Sequence, residues 1–380
     1  SLYSNENIIS KNKKGWKRIM LNEVLKGIEG LDNDMIVKAK NRVDSLAKPL
    51  GSLGKLEDIA IRLSGITGNM FNNIDKKCVI IMSSDNGVEE EGVASAPQCV
   101  TLLQTKNFIK GTTGVATLAK ANGTDLMVFD VGINSDEVVE GVINRKISKG
   151  TKNIYKEPAM TYEEAKKSLE IGIEAVKIAK EKGYKILGVG EMGIGNTTTS
   201  AAVLKALIGC ETSQVVGKGG GINNDSFEKK KRIVEEVVKK HNINFDDPID
   251  IISKVGGYDI GAMAGVFLGA AFYRIPVVID GFISVVAALL ANRLNPLVKE
   301  FCFTSHKSQE IGYELAIKEL GLDPMLDLNM RLGEGSGCPI AFSVIDFATA
   351  MMNNMATFEE GNIDNSYLED VKDEECYIVL

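Results

Sequence analysis

The sequence predicts an α/β protein with a mostly parallel sheet flanked by helices and a small helical domain built from both chain ends. Short apolar runs of strand length alternate with segments of helix length, which is typical of parallel strands joined by crossover helices. The runs are apolar at nearly every position, so we expect helices to cover both faces of the sheet. Both ends of the chain are predicted to be helical and to contain no strands, so we expect them to form the smaller domain together.

Five apolar runs are the predicted strands, in chain order Cys78–Met82, Leu126–Phe129, Ile186–Val189, Val277–Ile279 and Phe301–Phe303. The best-marked helix is Tyr162–Lys182, because Thr161 and Glu164 form a capping box at its start and Gly183 follows its end. The apolar stretch Ile260–Ala291 contains charged residues and a proline. We therefore expect a buried helix, strand and helix there, and no membrane span.

At 380 residues the chain exceeds the usual size of one hydrophobic core, which favours two domains. Helices are expected over most of 21–70 and again over 309–321 and 341–358. We predict the following division: a flexible N-terminus at 1–20, a small helical domain from 21–75 and 325–360, an α/β domain over 76–324, and an acidic tail at 361–380.

Composition excludes several classes of function. The net charge of −7 argues against a nucleic-acid binder, which needs a basic face. With only two histidines, and six cysteines that form no CxxC pair, we expect no metal site. The scattered cysteines suit reduced thiols, and Ser1–Lys17 is too polar for a secretory signal, so we expect a cytoplasmic protein.

The most informative segment is Met330–Cys338, which places one carboxylate, Glu334, among three glycines. Glycines let the backbone bend sharply and approach a ligand closely. A carboxylate held this way in an apolar crevice is a candidate general base. A glycine-rich turn with a solvated glutamate is the alternative, and this segment alone does not separate the two.

Acidic residues follow four of the predicted strands, at the edge where an open α/β sheet binds its ligands. They are Asp85, Asp130, Glu191 and Asp280, and each has a glycine within two residues. One acid at such a place is often only a helix cap, which contributes about 1 kcal/mol. Four of them predict a polar site along the carboxyl ends of the strands.

The richest of these strand ends is Gly188–Thr199, in which a glycine-rich loop leads to a helix start with three threonines. Gly188, Gly190 and Gly193 match the dinucleotide-binding pattern GxGxxG. The match lies inside an interior strand and would set Glu191 against a pyrophosphate, so we expect no NAD binding. Free N–H groups at the helix start suit a single phosphate instead, and an ordinary capped helix is the alternative.

Two further segments carry groups suited to an anion. Gly217–Gly221 is a second glycine loop followed by Lys229–Lys231, whose charges suit a phosphate, although a flexible linker is the alternative. Ser305–Ser308 follows the fifth predicted strand and adds hydroxyls and a cation at the same edge. His306 has no acid or cysteine at triad-like spacing, so we interpret it as structural or as a substrate contact.

Together these segments resemble the nicotinate-nucleotide–dimethylbenzimidazole phosphoribosyltransferase family over roughly residues 20 to 358. The resemblance implies a Rossmann-like sheet, a homodimer and no cofactor. It also implies transfer of the 5-phosphoribosyl group of nicotinate mononucleotide to 5,6-dimethylbenzimidazole, with inversion at the anomeric carbon, in cobamide lower-ligand assembly. It rests on motifs in one order: Lys48–Gly54, Asp85–Gln98, Gly190–Thr198, Asp280–Ile283, Ser305–Ser308 and Arg331–Gly335.

The resemblance also implies roles for single residues. Glu334 is the general base that takes the proton of the attacking benzimidazole, and Glu191 is a second acid near the ribose. The aromatic base is expected at Gln98, Asn86 and Leu332. Phosphate contacts are implied at Gly193, Gly219, Lys230 and Ser308, to which the helix start adds Gly195, Asn196 and Thr197 as phosphate or ribose contacts.

The chain departs from the family's pattern at Asn86, where a histidine is expected, at Cys99, where an acid is usual, and in the run Gly219–Gly221. Because Asn86 and Cys99 lie near the base-binding loop, the acceptor stays open between dimethylbenzimidazole, another benzimidazole, a purine and a phenol. A non-catalytic nucleotide-binding or sensor protein on the same scaffold is the main alternative function, and the presence of both Glu334 and Glu191 argues against it.

Overall fold

The computed structural model describes residues 20–368, so all but the last residue of the predicted N-terminal segment 1–20, and the part of the predicted acidic tail 361–380 after residue 368, lie outside the described residues. The described chain forms one parallel six-stranded sheet with the order β3-β2-β1-β4-β5-β6. Its strands are β1 (Lys77–Ser84), β2 (Asp125–Gly132), β3 (Ile143–Asn144), β4 (Ile186–Met192), β5 (Val277–Ile279) and β6 (Cys302–Thr304).

The predicted fold class is confirmed. All five predicted strands are present, and β1 is buried at every position, as expected of a strand covered on both faces. The two-residue β3 was not predicted, because it is too short to leave a pattern in the sequence. The strand order reverses between β1 and β4, and open α/β sheets bind ligands at such a point, beyond the carboxyl ends of the strands.

The helices pack on both faces of this sheet and at one end of it. In chain order they are α1 (Leu21–Gly27), α2 (Asn33–Ser45), α3 (Lys55–Thr67), α4 (Cys99–Lys110), α5 (Gly114–Ala121), α6 (Tyr162–Glu181), α7 (Asn196–Ile208), α8 (Asn224–Lys240), α9 (Pro248–Val255), α10 (Tyr258–Tyr273), α11 (Phe282–Leu294), α12 (Tyr313–Leu320) and α13 (Gly337–Asn354). Short 3₁₀ turns cover Gly87–Glu91, Thr212–Gln214, Val298–Phe301 and Ser366–Leu368.

Helix α6 confirms its predicted start. The Glu164 backbone N–H donates to Thr161 Oγ1 at 3.2 Å, and the Thr161 backbone N–H donates to Glu164 Oε2 at 2.8 Å. The helix packs closely on α10, where a Cβ built on Gly172 would lie 2.0 Å from the Ala262 carbonyl oxygen. Such an approach of two helix backbones is open only to glycine. The stretch Ile260–Ala291 is the buried α10, β5 and α11, as predicted.

The two ends of the described chain meet. Helices α2 and α3 pack on each other, α3 also packs on α13, and the Ala47 backbone N–H donates to the Ala356 carbonyl at 2.9 Å. The proposed domain boundaries stay a prediction, since one continuous apolar core includes residues from both parts. Within residues 20–368, no helix combines the length and apolarity needed to cross a membrane.

Candidate active site

A cavity of about 310 Å³ lies beyond the carboxyl ends of β4 and β5. Its walls come from six parts of the chain: the loop after β1 with the first half of α4, the turn between β4 and α7, the glycine loop at 218–220, the start of α11, the segment after β6, and the loop at 331–334. Each of these carries a motif singled out from the sequence. The fold therefore gathers into one cavity segments that lie far apart along the chain.

Glu334 lies in the cavity wall with 7% of its surface exposed, so the alternative of a solvated turn is wrong. Both carboxylate oxygens accept a hydrogen bond. Gln104 Nε2 donates to Oε1 at 2.8 Å, and the Val115 backbone N–H, in the first turn of α5, donates to Oε2 at 3.1 Å. These two donors fix the direction of the carboxylate, and the positive end of α5 stabilises its charge.

The backbone around Glu334 is strained. Gly333, Glu334 and Gly335 have φ angles of 84°, 64° and 85°, a region that a glutamate rarely adopts. Asp280 holds this conformation, because its carboxylate accepts from the Gly335 N–H at 3.0 Å and the Gly337 N–H at 2.7 Å. Burial raises the pKa of Asp280 to about 7.

Glu191, at the end of β4, touches this loop directly. The Glu334 backbone N–H donates to Glu191 Oε1 at 3.2 Å, and Asn196 Nδ2 donates to Oε2 at 2.5 Å. Burial is the main cause that raises the pKa of Glu191 to about 8, and repulsion from Asp259 and Asp280 adds to it. With no ligand bound, burial therefore favours the protonated form of this carboxyl group.

Asp259, which sequence reasoning missed, lies behind Glu191 in the first turn of α10. Asn196 Nδ2 also donates to Asp259 Oδ2 at 3.1 Å, so one amide bridges two buried carboxyl groups. Burial raises the pKa of Asp259 to about 6. The predicted base contact Asn86 belongs to this network, since its Nδ2 donates to Asp259 Oδ2 at 3.4 Å.

The predicted phosphate contacts surround the other end of the cavity. Gly193, Gly195, Asn196, Thr197, Gly219 and Ser308 all line it. Lys230 lies directly behind this wall and is 1% exposed, and its Nζ donates to Thr197 Oγ1 at 2.8 Å and to the Gly217 carbonyl at 3.0 Å. Burial lowers the pKa of Lys230 to about 8. A buried ammonium that contacts only neutral oxygens favours an incoming anion.

Three residues were predicted to hold the base, and only Leu332 lines the cavity. Asn86 is fully buried in the network behind Glu191, and Gln98 turns its amide oxygen to Asn134 Nδ2 at 2.8 Å, outside the cavity lining. Their contact with a base stays a prediction that this geometry does not support. Gln104, within the helix that Gln98 precedes, instead lines the cavity with its amide side chain.

The glycines of the GxGxxG match serve close packing. A Cβ on Gly188 would lie 2.5 Å from Cβ of Cys338, one on Gly190 2.3 Å from the Glu334 carbonyl oxygen, and one on Gly193 2.4 Å from the Ser84 carbonyl oxygen. These glycines therefore allow α13, the Glu334 loop and the end of β1 to approach β4 and the turn after it closely. Within residues 20–368, no three histidine, cysteine or acidic side chains come together as a metal site would require.

Similarity to known proteins agrees with this arrangement. A family model described as a phosphoribosyltransferase matches residues 28–363. A Clostridium perfringens (strain 13 / Type A) protein named nicotinate-nucleotide–dimethylbenzimidazole phosphoribosyltransferase is 99% identical over 361 residues, 95% of this chain and 100% of that protein. The chain belongs to this family. A Clostridium acetobutylicum protein of the same name is 52% identical over 90% of this chain and 98% of its own length.

The fold of the family is also that of this chain. The crystal structure of CobT from Thermus thermophilus superposes with a TM-score of 0.84 at 35% identity, covering 87% of this chain and 99% of that one. The resemblance inferred from the motifs and the Rossmann-like fold class are thereby confirmed. The roles of single residues in the cavity are not tested by these similarities and stay predictions.

Proposed function

We propose that the protein transfers the 5-phosphoribosyl group of nicotinate mononucleotide to 5,6-dimethylbenzimidazole or a related lower-ligand base, releasing nicotinate. One observation carries the proposal: Glu334 and Glu191 meet in a single cavity that ends at two glycine loops and a buried lysine. The family to which the chain belongs supports the same reaction. The product would be the α-ribazole 5′-phosphate used in cobamide assembly.

In the proposed reaction a ring nitrogen of the base attacks C1′ of the ribose while the bond from C1′ to nicotinate breaks. The bonding pair goes to the nicotinate nitrogen, which loses its pyridinium charge and needs no acid. The proton left on the acceptor's other ring nitrogen goes to Glu334. Since Gln104 and Val115 already hold both oxygens of Glu334, this base is oriented before the substrate arrives.

Glu191 is proposed to stabilise positive charge. The pyridinium ring of bound nicotinate mononucleotide would favour the ionised carboxylate, so substrate binding would expel the proton that burial retains. The same carboxylate would then face the positive charge that develops on the ribose as the glycosidic bond breaks. The phosphate is proposed to lie between the α7 start and Gly219, with Lys230 behind it.

The reaction is tested by incubating the protein with nicotinate mononucleotide and one acceptor at a time, and identifying products by mass spectrometry. The panel contains benzimidazoles, purines and phenols, because the departures at Asn86 and Cys99 leave the acceptor open. We expect a nucleotide with dimethylbenzimidazole or a close relative. Release of nicotinate without any acceptor adduct, or no release at all, would reject the transferase proposal.

A nucleotide sensor on the same scaffold is the second candidate. It would bind nicotinate mononucleotide and leave it intact, so the same experiment separates the two functions. The oriented Glu334 carboxylate favours the enzyme, because binding alone has no use for a strained base. A dinucleotide oxidoreductase would bind NAD in calorimetry, and we expect no heat of binding there.

We also propose a cytoplasmic homodimer, as the family resemblance implies. Apolar side chains exposed on α4 and α13, among them Leu103, Ile109 and Phe347, support a buried contact between two copies. Sedimentation equilibrium would test this assembly, with twice the chain mass of 41.1 kDa as the expected result. Cell fractionation would test the compartment.

A further inference from the structure

One carboxyl group in the cavity has no part in the reaction described above. Glu310 lines the cavity among the proposed phosphate contacts. A Cβ built on Gly217 would lie 2.5 Å from Glu310 Oε2, and the Gly217 carbonyl accepts from Lys230 Nζ at 3.0 Å. The Glu310 backbone N–H donates to Ser308 Oγ at 3.3 Å. An acid therefore lies inside a site that is otherwise built for an anion.

Cations face Glu310 without pairing with it. Lys230 comes from α8 and Arg331 from the loop before α13, while Lys218 lines the same cavity and donates to Asn224 Oδ1 at 2.9 Å. Lys230 donates instead to Thr197 and Gly217, and Arg331 Nη1 donates to the Gly219 carbonyl at 3.2 Å. Across residues 20–368, no cation lies within 4 Å of the Glu310 carboxylate.

A bound phosphate monoester would add between one and two negative charges beside this group. Two like charges in a partly buried site repel, and the repulsion favours the neutral form of the weaker acid. The pKa of Glu310 is already raised by burial, against the opposing effect of Lys230 and Arg331. A protonated carboxyl group has no charge to repel the ligand, and its O–H is a hydrogen-bond donor.

We infer that the Glu310 carboxyl group takes up a proton from solvent when a dianion binds, and so changes from a repelling carboxylate into a hydrogen-bond donor. One O–H bond forms on Glu310, and no other covalent bond changes. The inference rests on the proposed function, which puts the phosphate of nicotinate mononucleotide beside Lys230. Affinity for the phosphate end of the substrate then falls as pH rises through the titration of Glu310.

Sulfate is the probe for this linkage, because it stays a dianion throughout the tested pH range and contributes no titration of its own. Its dissociation constant is measured by calorimetry from mildly acidic to mildly alkaline pH at constant ionic strength. The proteins are the wild type, Glu310→Gln, and the matched control Glu314→Gln. Glu314 is exposed one turn further along and pairs with Lys307 at 2.6 Å, so its loss changes the net charge equally.

The wild type and Glu314→Gln are expected to lose affinity with rising pH, by up to about tenfold per pH unit, the limit for one linked proton. Glu310→Gln should show a much smaller loss and bind sulfate more tightly than the wild type at neutral pH. Glu191, Asp259, Asp280 and His306 titrate in all three proteins, so the difference between them isolates Glu310. Loss of affinity near pH 8 reports Lys230, and in Glu310→Gln it should begin at a lower pH, because the Glu310 charge raises the pKa of Lys230, so the slopes are compared below that range.

Equal pH slopes in the wild type and Glu310→Gln would overturn the inference. Weaker sulfate binding by Glu310→Gln at neutral pH would overturn it as well, because Glu310 would then serve only to keep Lys230 charged. Turnover of nicotinate mononucleotide by the wild type is measured in parallel. Failure of that turnover counts against the proposed function, whereas failure of the sulfate result with turnover intact counts against Glu310 alone.

Discussion

The carboxyl edge of the sheet has two halves. In both halves acidic residues lie at the ends of two strands, but these residues have different surroundings. At the ends of β4 and β5, Glu191 and Asp280 line the cavity and contact the Glu334 loop. At the ends of β1 and β2, Asp85 and Asp130 lie outside the cavity lining. Asp130 accepts from the Gly132 and Ile133 N–H groups and pairs with Lys146 at 3.2 Å, and Asp85 accepts from the Asn134 N–H at 2.7 Å.

The difference lies in what faces each acid. At β1 and β2 the chain folds back on itself, so the carboxylates satisfy loop N–H groups and contribute to stability. At β4 and β5 the facing loop is 331–334, which lies far along the chain and carries the carboxylate of Glu334. The cavity lies between this loop and the strand ends. In this protein, the acids at the ends of β4 and β5 thus line a cavity because a distant segment closes over them.

The largest effect on activity is expected from a substitution in the β4 and β5 half of the edge, at Glu334. Glu334→Ala should lower kcat by about 10³- to 10⁴-fold, because the acceptor's proton would have no positioned base. Binding of nicotinate mononucleotide should be retained, because the proposed phosphate contacts lie at the other end of the cavity. Steady-state kinetics and calorimetry measure the two properties. Glu359→Ala, at an exposed glutamate, is the matched control, and turnover unchanged in Glu334→Ala would remove Glu334 from its proposed role.

A smaller loss, about 10²-fold in kcat/KM, is expected for Glu191→Gln, which removes the charge proposed to face the ribose. The pKa of about 8 adds a pH signature. Ionised Glu191 increases towards pH 8, so wild-type kcat/KM should rise as the pH approaches that value, and the variant should lose this rise. A rise of equal size in Glu191→Gln would assign the pH dependence to another group.

Stability provides an independent check on Glu191. Its folded pKa of about 8 exceeds the ordinary value of 4.5, so the folded state binds the proton more tightly than the unfolded state. Wild-type stability should therefore fall as pH rises from 4.5 towards 8, and Glu191→Gln should fall less. Thermal unfolding at both ends of this range measures the difference, and identical pH dependences would contradict the buried environment described for Glu191.

Asp280→Asn and Asp130→Asn form a matched pair across the two halves. Asp280→Asn should lower kcat about tenfold to a hundredfold, because an amide turned towards the Gly335 and Gly337 N–H groups no longer holds Glu334 in place. KM for nicotinate mononucleotide should change little. Circular dichroism and kinetics together distinguish this result from unfolding, and activity within twofold of wild type would show that the loop keeps its shape without Asp280.

The smallest effect on activity is expected from Asp130→Asn, on the other half of the edge. Activity should stay within about twofold of wild type, while the free energy of unfolding falls by about 1 to 2 kcal/mol through the weakened Lys146 pair and N–H contacts. Urea titration measures the loss. A large drop in kcat in this variant would break the distinction between the two halves.

Much of this molecule was predicted from local patterns. The five main strands, the capped helix α6 and the glycine loops follow from apolar runs, capping residues and glycine spacing, which depend on neighbours in the chain. The boundaries of α13 could not be predicted from local patterns. The helix was predicted over 341–358 and begins at Gly337, because Asp280 accepts from the N–H groups of Gly337 and of Gly335 before it, and no pattern near 337 signals that partner.

The sequence by itself determined the alternation of strands and helices, the family, and the two acids that stand among glycines at the cavity. Only the tertiary structure decided which polar residues share that cavity. It brought Gln104 and Asp259 to the acids, turned Gln98 to Asn134 and buried Asn86 behind the wall. The physical reason is that a side chain's partner across the fold depends on packing between distant segments, which spacing along the chain does not encode.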